Sequence, residues 1–527
     1  YGNGGKPLDE NPMSSLSNFM KEQEIIVNTK QDGTLESIVF YGAPTKGFEI
    51  RNNKIQRYHN PYSDKNYYLL TWGGEPGKRA NALQTPDGEV QNKPSTYFHK
   101  IFFEEEINNP YIKACGRTWF GRTNLSSPFI DLLPNLDVNQ PILFRFALAH
   151  RSPTVGSFTI FENNNQILKM DLPAVYLEGY KHAERNIKEV TVPSSFIPSD
   201  FRSVLKFQYN NPESPTSSTP FIDYYEIHFL RSFYAIENEL TFYSDTSSRG
   251  ITEYSINGFS GDILGFDISD ISRPKLLQNI SKTNGIYVFR KNLIDSSLSR
   301  FYISSKFKTP SRLEKISLSG IEDDNNYNAI LVTDKTLLNS AKKFVDYRES
   351  KSDLKIKIVT TDEIYNELNA GTPDITAIRD YASYAYQVWK NSVKSLILWG
   401  DGHFDYKGIQ YKNLNIVPAY EAPDEDVMTF DEISESYATD DFYSCIVGND
   451  DVCDLPFGRI PINTDAEGES ILEKIKHYEN NSSNDDWRMK IFLMADDGPS
   501  GDNSYDGNIH VNYSEELFNE HIPQNYV

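Results

Sequence analysis

Along the first three-fifths of the chain, apolar residues recur at alternate positions in short runs: EIIVNT, LESIVFYG, NYYLLTWGG, PILFRFALAH, GSFTIFENNN, SVLKFQYNN, YYEIHFLRSFYAI and GIYVFRKN. Clusters of Asn, Asp, Gly, Pro and Ser separate them. A period of two turns one face of a strand to a core and the other to water. Repeated from about Glu22 to Leu318 with turn signals between, it predicts antiparallel β-sandwiches. No amphipathic helical pattern longer than two turns interrupts the series. The stretch NNPESPTSSTP, 210–220, reads as a long hairpin loop or an excursion at a sheet edge.

At about Asn328 the pattern changes. NAILVTD is a buried strand, and LLNSAKKFVDYRESK carries Leu338, Ala341, Val345 and Tyr347 at near-helical spacing. KIKIVTTDEI reads as a second strand, DITAIRDYASYAYQVWK as a second amphipathic helix and KSLILWGD as a third strand. Strands that alternate with helices make crossover units and a parallel sheet. An acidic stretch from Pro418 to Asp441 then precedes DLPFGRIPI, the helix AEGESILEKIKHYEN and the strand KIFLMADDG. The α/β unit reads as incomplete at Val527. The fold expected is therefore multidomain: a β-rich unit over 1–110, one or more β-sandwiches over 111–320, and an α/β domain with a mainly parallel sheet over 325–527.

Composition sharpens this picture in two places. Aromatic residues make up 13% of the chain, with 33 Tyr and 31 Phe, which favours strands. A formal charge of -22 argues against a nucleic-acid partner, whose phosphates need a basic surface. No run of about 18 apolar residues offers a membrane-spanning helix. The opening YGNGGKPLDE lacks a charged segment followed by an apolar one, so the chain is either cytosolic or already processed. Cys115, Cys445 and Cys453 are too few for a disulfide framework; Cys445 and Cys453 are close enough in sequence to pair, and the redox compartment stays open.

In an open α/β sheet, chemistry gathers beyond the carboxyl ends of the strands. Three such ends are visible: WGDGH, FGRIP and LMADDGPSGDN. His403 in the first is a general base or, more often in such a turn, a structural residue, and no nucleophile has a reason to sit beside it. VGNDDVCD places Asp450, Asp451 and Asp454 in one tight turn, a pattern that supplies oxygens for Ca²⁺ or forms a solvated acidic turn. It is not an EF-hand loop, since the Gly and the terminal Glu are missing. ADDGPSGDN has no P-loop Lys, and its acids would repel phosphate; a carboxylate there is placed to orient a histidine.

Taken together, LILWGDGHFDY, YATDDFYSCIVGNDDVCDLPFGRIPI, IKHYENNSSNDDW and LMADDGPSGDNSYDGNIH resemble, in order and spacing, the caspase-like catalytic domain of the gingipain family of cysteine peptidases. Farther upstream, YHNPYSDKNYYLLTWG and CGRTWFGRT resemble the β-rich half of sortases of the type IX secretion system.

The resemblance implies Ca²⁺ held by Asp401, the Val447 carbonyl, Asp450, the Val452 carbonyl and Asp454. Asp454 stands where the family has Glu. A second calcium site would take His510, with Tyr505 where an acid is expected and Asp506 as a substitute. Asp496 matches the acid that orients the catalytic histidine, and the resemblance sets that histidine and the nucleophilic cysteine C-terminal to Val527. His403 becomes a turn residue beside a metal site.

The implied activity is that of a cysteine endopeptidase and transpeptidase on the outer face of the bacterial outer membrane, its signal peptide removed. It would cut C-terminal sorting domains from secreted cargo, attach the cargo to a surface glycolipid, and partner a PorV-like β-barrel of the outer membrane. A non-catalytic scaffold with an inert gingipain-like domain, or another gingipain-like secreted protease, are the rival readings.

Overall fold

The computed structural model describes residues 8, 10, 20–107, 117, 119–175, 183–271, 273–278, 280–294, 297–321, 326–421, 438–448, 450, 452–481, 486–495 and 509–526. They fall into two compact units, Tyr1–Glu467 and Gly468–Val527.

The predicted β-sandwich is present. One sheet orders the strands Asn165–Leu172, Gly156–Glu162, Arg202–Asn210 and Phe129–Leu132. The other orders Glu184–Val192, Ile142–Arg151, Thr219–Ser232 and Thr96–Glu104. Pairing within both is antiparallel. Phe144, Phe146 and Leu148 meet Phe158, Ile160, Leu205 and Phe207 in one core, as the alternation in ILFRFALAH requires. Burying each such side chain contributes about 2 kcal/mol.

NNPESPTSSTP is not a hairpin loop, because Arg202–Asn210 and Thr219–Ser232 lie in different sheets; it carries the chain from one to the other. Nor does the sheet respect a break near residue 110, since Thr96–Glu104 pairs with Thr219–Ser232.

A second β assembly has a five-stranded and a three-stranded sheet around Phe233, Phe242, Tyr254, Phe289 and Phe301. Its outermost strand, Ala82–Leu83, comes from far upstream and runs parallel to Lys275–Leu277. NYYLLTWGG forms no strand: Tyr68 turns inward to bond the Ala43 amide at 2.8 Å, while Leu70 and Trp72 face solvent. Its alternation is real, but among the described residues no neighbouring strand takes up its backbone.

From Ala329 the parallel sheet appears in the order Ile356–Thr360, Ala329–Thr333, Leu396–Trp399, Phe457–Ile460. Helix α1 spans Leu338–Lys351, α2 Thr361–Leu368, α3 Thr376–Val388 and α4 Asp465–Asn480. The sequence TTDEI starts α2 rather than ending a strand, because Thr360 and Glu363 form a reciprocal capping box. Registers Thr333↔Thr360, Thr333↔Trp399 and Trp399↔Ile460 bring four carboxyl ends level.

In the second unit, Ile491–Ala495 form no strand, in contrast to the reading of KIFLMADDG; Phe492 and Met494 are exposed. A strand needs a partner ladder, and none meets this segment among the described residues of its unit. Helix α5, Ile509–Glu516, carries His510 on its exposed side.

Candidate functional site

Strand order reverses between Ala329–Thr333 and Leu396–Trp399, the place where open α/β sheets form a crevice. Thr333 Oγ1 donates to the Trp399 carbonyl at 2.8 Å and locks the two ends together. Asp334, the next residue, caps the following turn by accepting the Thr336 N–H at 2.8 Å. The turn 400–408 follows directly on Trp399, at the carboxyl end of that strand.

Two glycines make the turn possible. At Gly400, with φ of 151°, a Cβ would lie 2.6 Å from Ile416 Cγ2. At Gly402 it would lie 2.7 Å from the Ala419 backbone nitrogen. The Asp401 carbonyl accepts both the Ile416 and Val417 N–H groups at 3.0 Å, so the turn is sewn onto the returning chain. Arg459, on the neighbouring strand, donates to the Gly400 and Val417 carbonyls and pairs with Asp440 at 2.6 Å.

His403 is a structural residue of this turn. Its Nδ1 accepts the Asp405 N–H at 3.1 Å, its own N–H donates to Asn415 Oδ1 at 2.7 Å, and its ring stacks on Phe404. Burial lowers its imidazole below the ordinary value, against the pull of Asp405 and Asp401. A neutral ring with Nδ1 spent as an acceptor is built to hold the turn.

Asp405 does more than sequence reasoning gave it. Buried, it accepts three successive amides, Ile409 at 2.8 Å, Gln410 at 2.7 Å and Tyr411 at 2.8 Å. An acid followed four to six residues on by a tight, glycine-containing turn was the available signal. Arg459 and Lys407 were missed too. Lys407 leaves the turn for a cage made by His59, Asp64 and Glu106 at 2.8, 3.0 and 2.7 Å. Those three residues form a metal-like cluster, but the ammonium is already bonded to each of them. Beside it, Phe404 stacks on Trp119 and Gln410 donates to the Ile107 carbonyl.

The expected calcium ligands sit as follows. Asp401 Oδ1 accepts the Gly402 N–H at 3.0 Å, and Oδ2 accepts Asn463 Nδ2 at 3.3 Å. Asp450 Oδ1 accepts the Val452 N–H at 3.1 Å; Asp454 Oδ2 accepts the N–H groups of Ile446 and Val447 at 2.9 and 2.7 Å. Val447 and Val452 are exposed in the same loop. The donor set is hard oxygen, as calcium wants. Among the described residues, however, Asp401, Asp450 and Asp454 are not a cluster with ligating atoms within 4.8 Å of one another. Asp451, Asp496, Tyr505 and Asp506 lie outside the described residues.

Cys445 and Cys453 are free thiols at the base of the loop. Burial first, then contact with the Cys453 thiol, pushes Cys445 up to about 12.

Against this geometry stand the known proteins. Residues 322–527 match the family model described as Peptidase family C25. Dimeric latent PorU from Porphyromonas gingivalis superposes with a TM-score of 0.74 over 93% of this chain and 47% of its own, at 17% identity. The fold is that of PorU. Gingipain R2 from Porphyromonas gingivalis is 23% identical over 204 residues, 38% of this chain and 24% of that protein. Gingipain R1 of the same organism is equally similar over 204 residues, 18% of its length. The chain thus spans about a quarter or less of these gingipains and about half of the PorU chain. The PorU likeness takes in the β assemblies, and residues 322–527 carry the likeness to the peptidase family model and to the gingipains. No helix among the described residues is long and apolar enough to cross a membrane.

Proposed function

We propose that this chain is part of a type IX secretion sortase, a cell-surface cysteine peptidase that removes C-terminal sorting domains from secreted cargo and joins the cargo to a glycolipid. The observation that carries this reading is the PorU fold over 93% of the chain, because it includes the β-rich region that the 204-residue gingipain likeness leaves out.

On this reading a cysteine thiolate attacks the scissile carbonyl, the C–N bond breaks, and the leaving amine takes a proton from the paired imidazole. The resulting thioester is opened by a glycolipid amine instead of water. Asp496 orients that imidazole. The imidazole and thiol belong to a Gly-His-Gly motif and a strand-end Cys of the family that residues 1–527 do not contain. The β assemblies would face an outer-membrane β-barrel. Calcium, with Asp401, Val447, Asp450, Val452 and Asp454 as ligands of one site and His510 of a second, remains a separate expectation, and no step passes through it.

The test is the protein of the full reading frame with cargo bearing its sorting domain. Cleavage, with the cargo gaining the mass of an amine acceptor, is expected; Asp496→Ala should slow it far more than it lowers melting. Folded protein that leaves cargo intact would favour the scaffold reading.

A further inference from the structure

The loop that carries Asp450 and Asp454 begins and ends at a cysteine. Cys445 is half-buried, Cys453 is exposed, and both are free. The Asp454 N–H donates to the Ser444 carbonyl at 3.0 Å, closing the base of the loop. From the same residue, Oδ2 accepts the N–H groups of Ile446 and Val447 on the other side. The cysteines stand one position inside this clamp, close enough for the Cys453 thiol to act on that of Cys445. Cys445 is anchored in turn by its N–H to the Asp441 carbonyl at 3.0 Å. Gly448, with φ of 81°, lets the chain reverse between them.

We propose that Cys445 and Cys453 are an oxidation site that closes to an intramolecular disulfide by exchange with a low-molecular-weight disulfide such as oxidised glutathione. The exposed Cys453 sulfur loses its proton and attacks one sulfur of the oxidant, whose S–S bond breaks and releases one thiol. A mixed disulfide remains on Cys453. The Cys445 sulfur, held at the other side of the loop base, attacks the Cys453 sulfur and expels the second thiol. The oxidant is reduced to two thiols, the cysteines are oxidised to one disulfide, and the two protons they lose end on the released thiols. The new bond replaces hydrogen bonds as the closure of the loop and holds the Asp450 and Asp454 carboxylates in one arrangement. This step is independent of the sortase reading.

The experiment uses the 527-residue chain, treated with oxidised glutathione, quenched with an alkylating agent, digested and read by mass spectrometry. The expected product is a linked peptide joining Cys445 to Cys453, with neither residue alkylated. In Cys445→Ser the reaction should stop at one glutathione retained on Cys453. In Cys453→Ser the half-buried Cys445 should react about tenfold more slowly than Cys453 does, as access dictates. Glutathione retained on both cysteines of the unsubstituted chain, alkylation of both after oxidant, or linkage of either to Cys115 or to a second chain would overturn the proposal. The linked peptide is read on the unsubstituted chain, so a serine variant that fails to fold does not blur the outcome.

Discussion

Lys407 meets Glu106 at 2.7 Å across 301 positions of sequence, and the contact ties the strand-end turn of the α/β domain to the β-rich part of the chain. Burial alone would raise the Glu106 carboxyl; the hydrogen bond and charge of His59, with Lys407, hold it below its ordinary value. The Lys407 side chain is 5% exposed and that of Glu106 15%, so water screens the pair little. Breaking a buried pair leaves a charge without its partner, which costs about 3–5 kcal/mol. Lys407→Met should therefore lower unfolding stability by about 3 kcal/mol. Adding Glu106→Gln should restore part of that loss, as read in a double-mutant cycle by denaturant titration. Strict additivity would disprove the coupling.

Asp405→Ala should be costly in a different way. It strands three backbone donors, Ile409, Gln410 and Tyr411, around a buried side chain. Each stranded donor costs about 1–3 kcal/mol unless water enters, so a loss of roughly 3 kcal/mol is expected. Hydrogen exchange should show those three amides losing protection first. Uniform loss of protection across the domain would mean that Asp405 does not govern the turn.

Glu421 gives the pH dependence. It is 2% exposed, its Oε2 has no hydrogen-bond partner among the described residues, and burial pushes its carboxyl up to about 7 from 4.5, with Arg117 pulling the other way. A raised folded value means that the neutral acid is the form the fold prefers. The stability it lends is complete below about pH 4.5 and is lost as pH rises to 7, at roughly 1.4 kcal/mol per pH unit. Glu421→Gln should flatten that slope and raise the melting temperature at pH 8. An unchanged slope between pH 4.5 and 7 would place the titration elsewhere.

His403→Gln separates structure from catalysis. Glutamine retains a side-chain acceptor for the Asp405 N–H, so in the full-length protein cargo cleavage per folded molecule should stay within about twofold, with melting a few degrees lower. A drop of about a hundredfold would make the imidazole a proton carrier after all.

Calcium is checked by titration. If the loop and Asp401 close around an ion, added calcium should raise the melting temperature, and Asp454→Asn should remove most of that rise. No shift at millimolar calcium would agree with the separated carboxylates seen here.

The strands and helices were legible wherever one residue pattern answered to one neighbour. ILFRFALAH alternates because one face meets Phe158 and Leu205, and AILV runs apolar without a break because both faces of its strand are buried. NYYLLTWGG has the same alternation, yet forms no strand, since pairing is a property of two segments. At the strand-end turn, sequence pointed to Asp401 and His403 through position alone. Asp405, Lys407 and Arg459 stayed hidden because their partners lie across the fold: Asp405 binds amides, which carry no side-chain signature, and Lys407 binds residues some three hundred positions away.

The pairing of Thr96–Glu104 with Thr219–Ser232 bears on how the chain reaches this state. Phe103 waits for Tyr225, more than a hundred residues later, and Ala82 waits longer still for Leu276. Contacts so distant in sequence must close large loops before they return any stabilisation, and domains dominated by them fold slowly. The sandwich cannot assemble as the chain emerges; its first strand stays unpaired until the eighth is made. During that interval TYFHKIFFE is a bare apolar edge, and a chaperone that shields it would have the largest effect on yield.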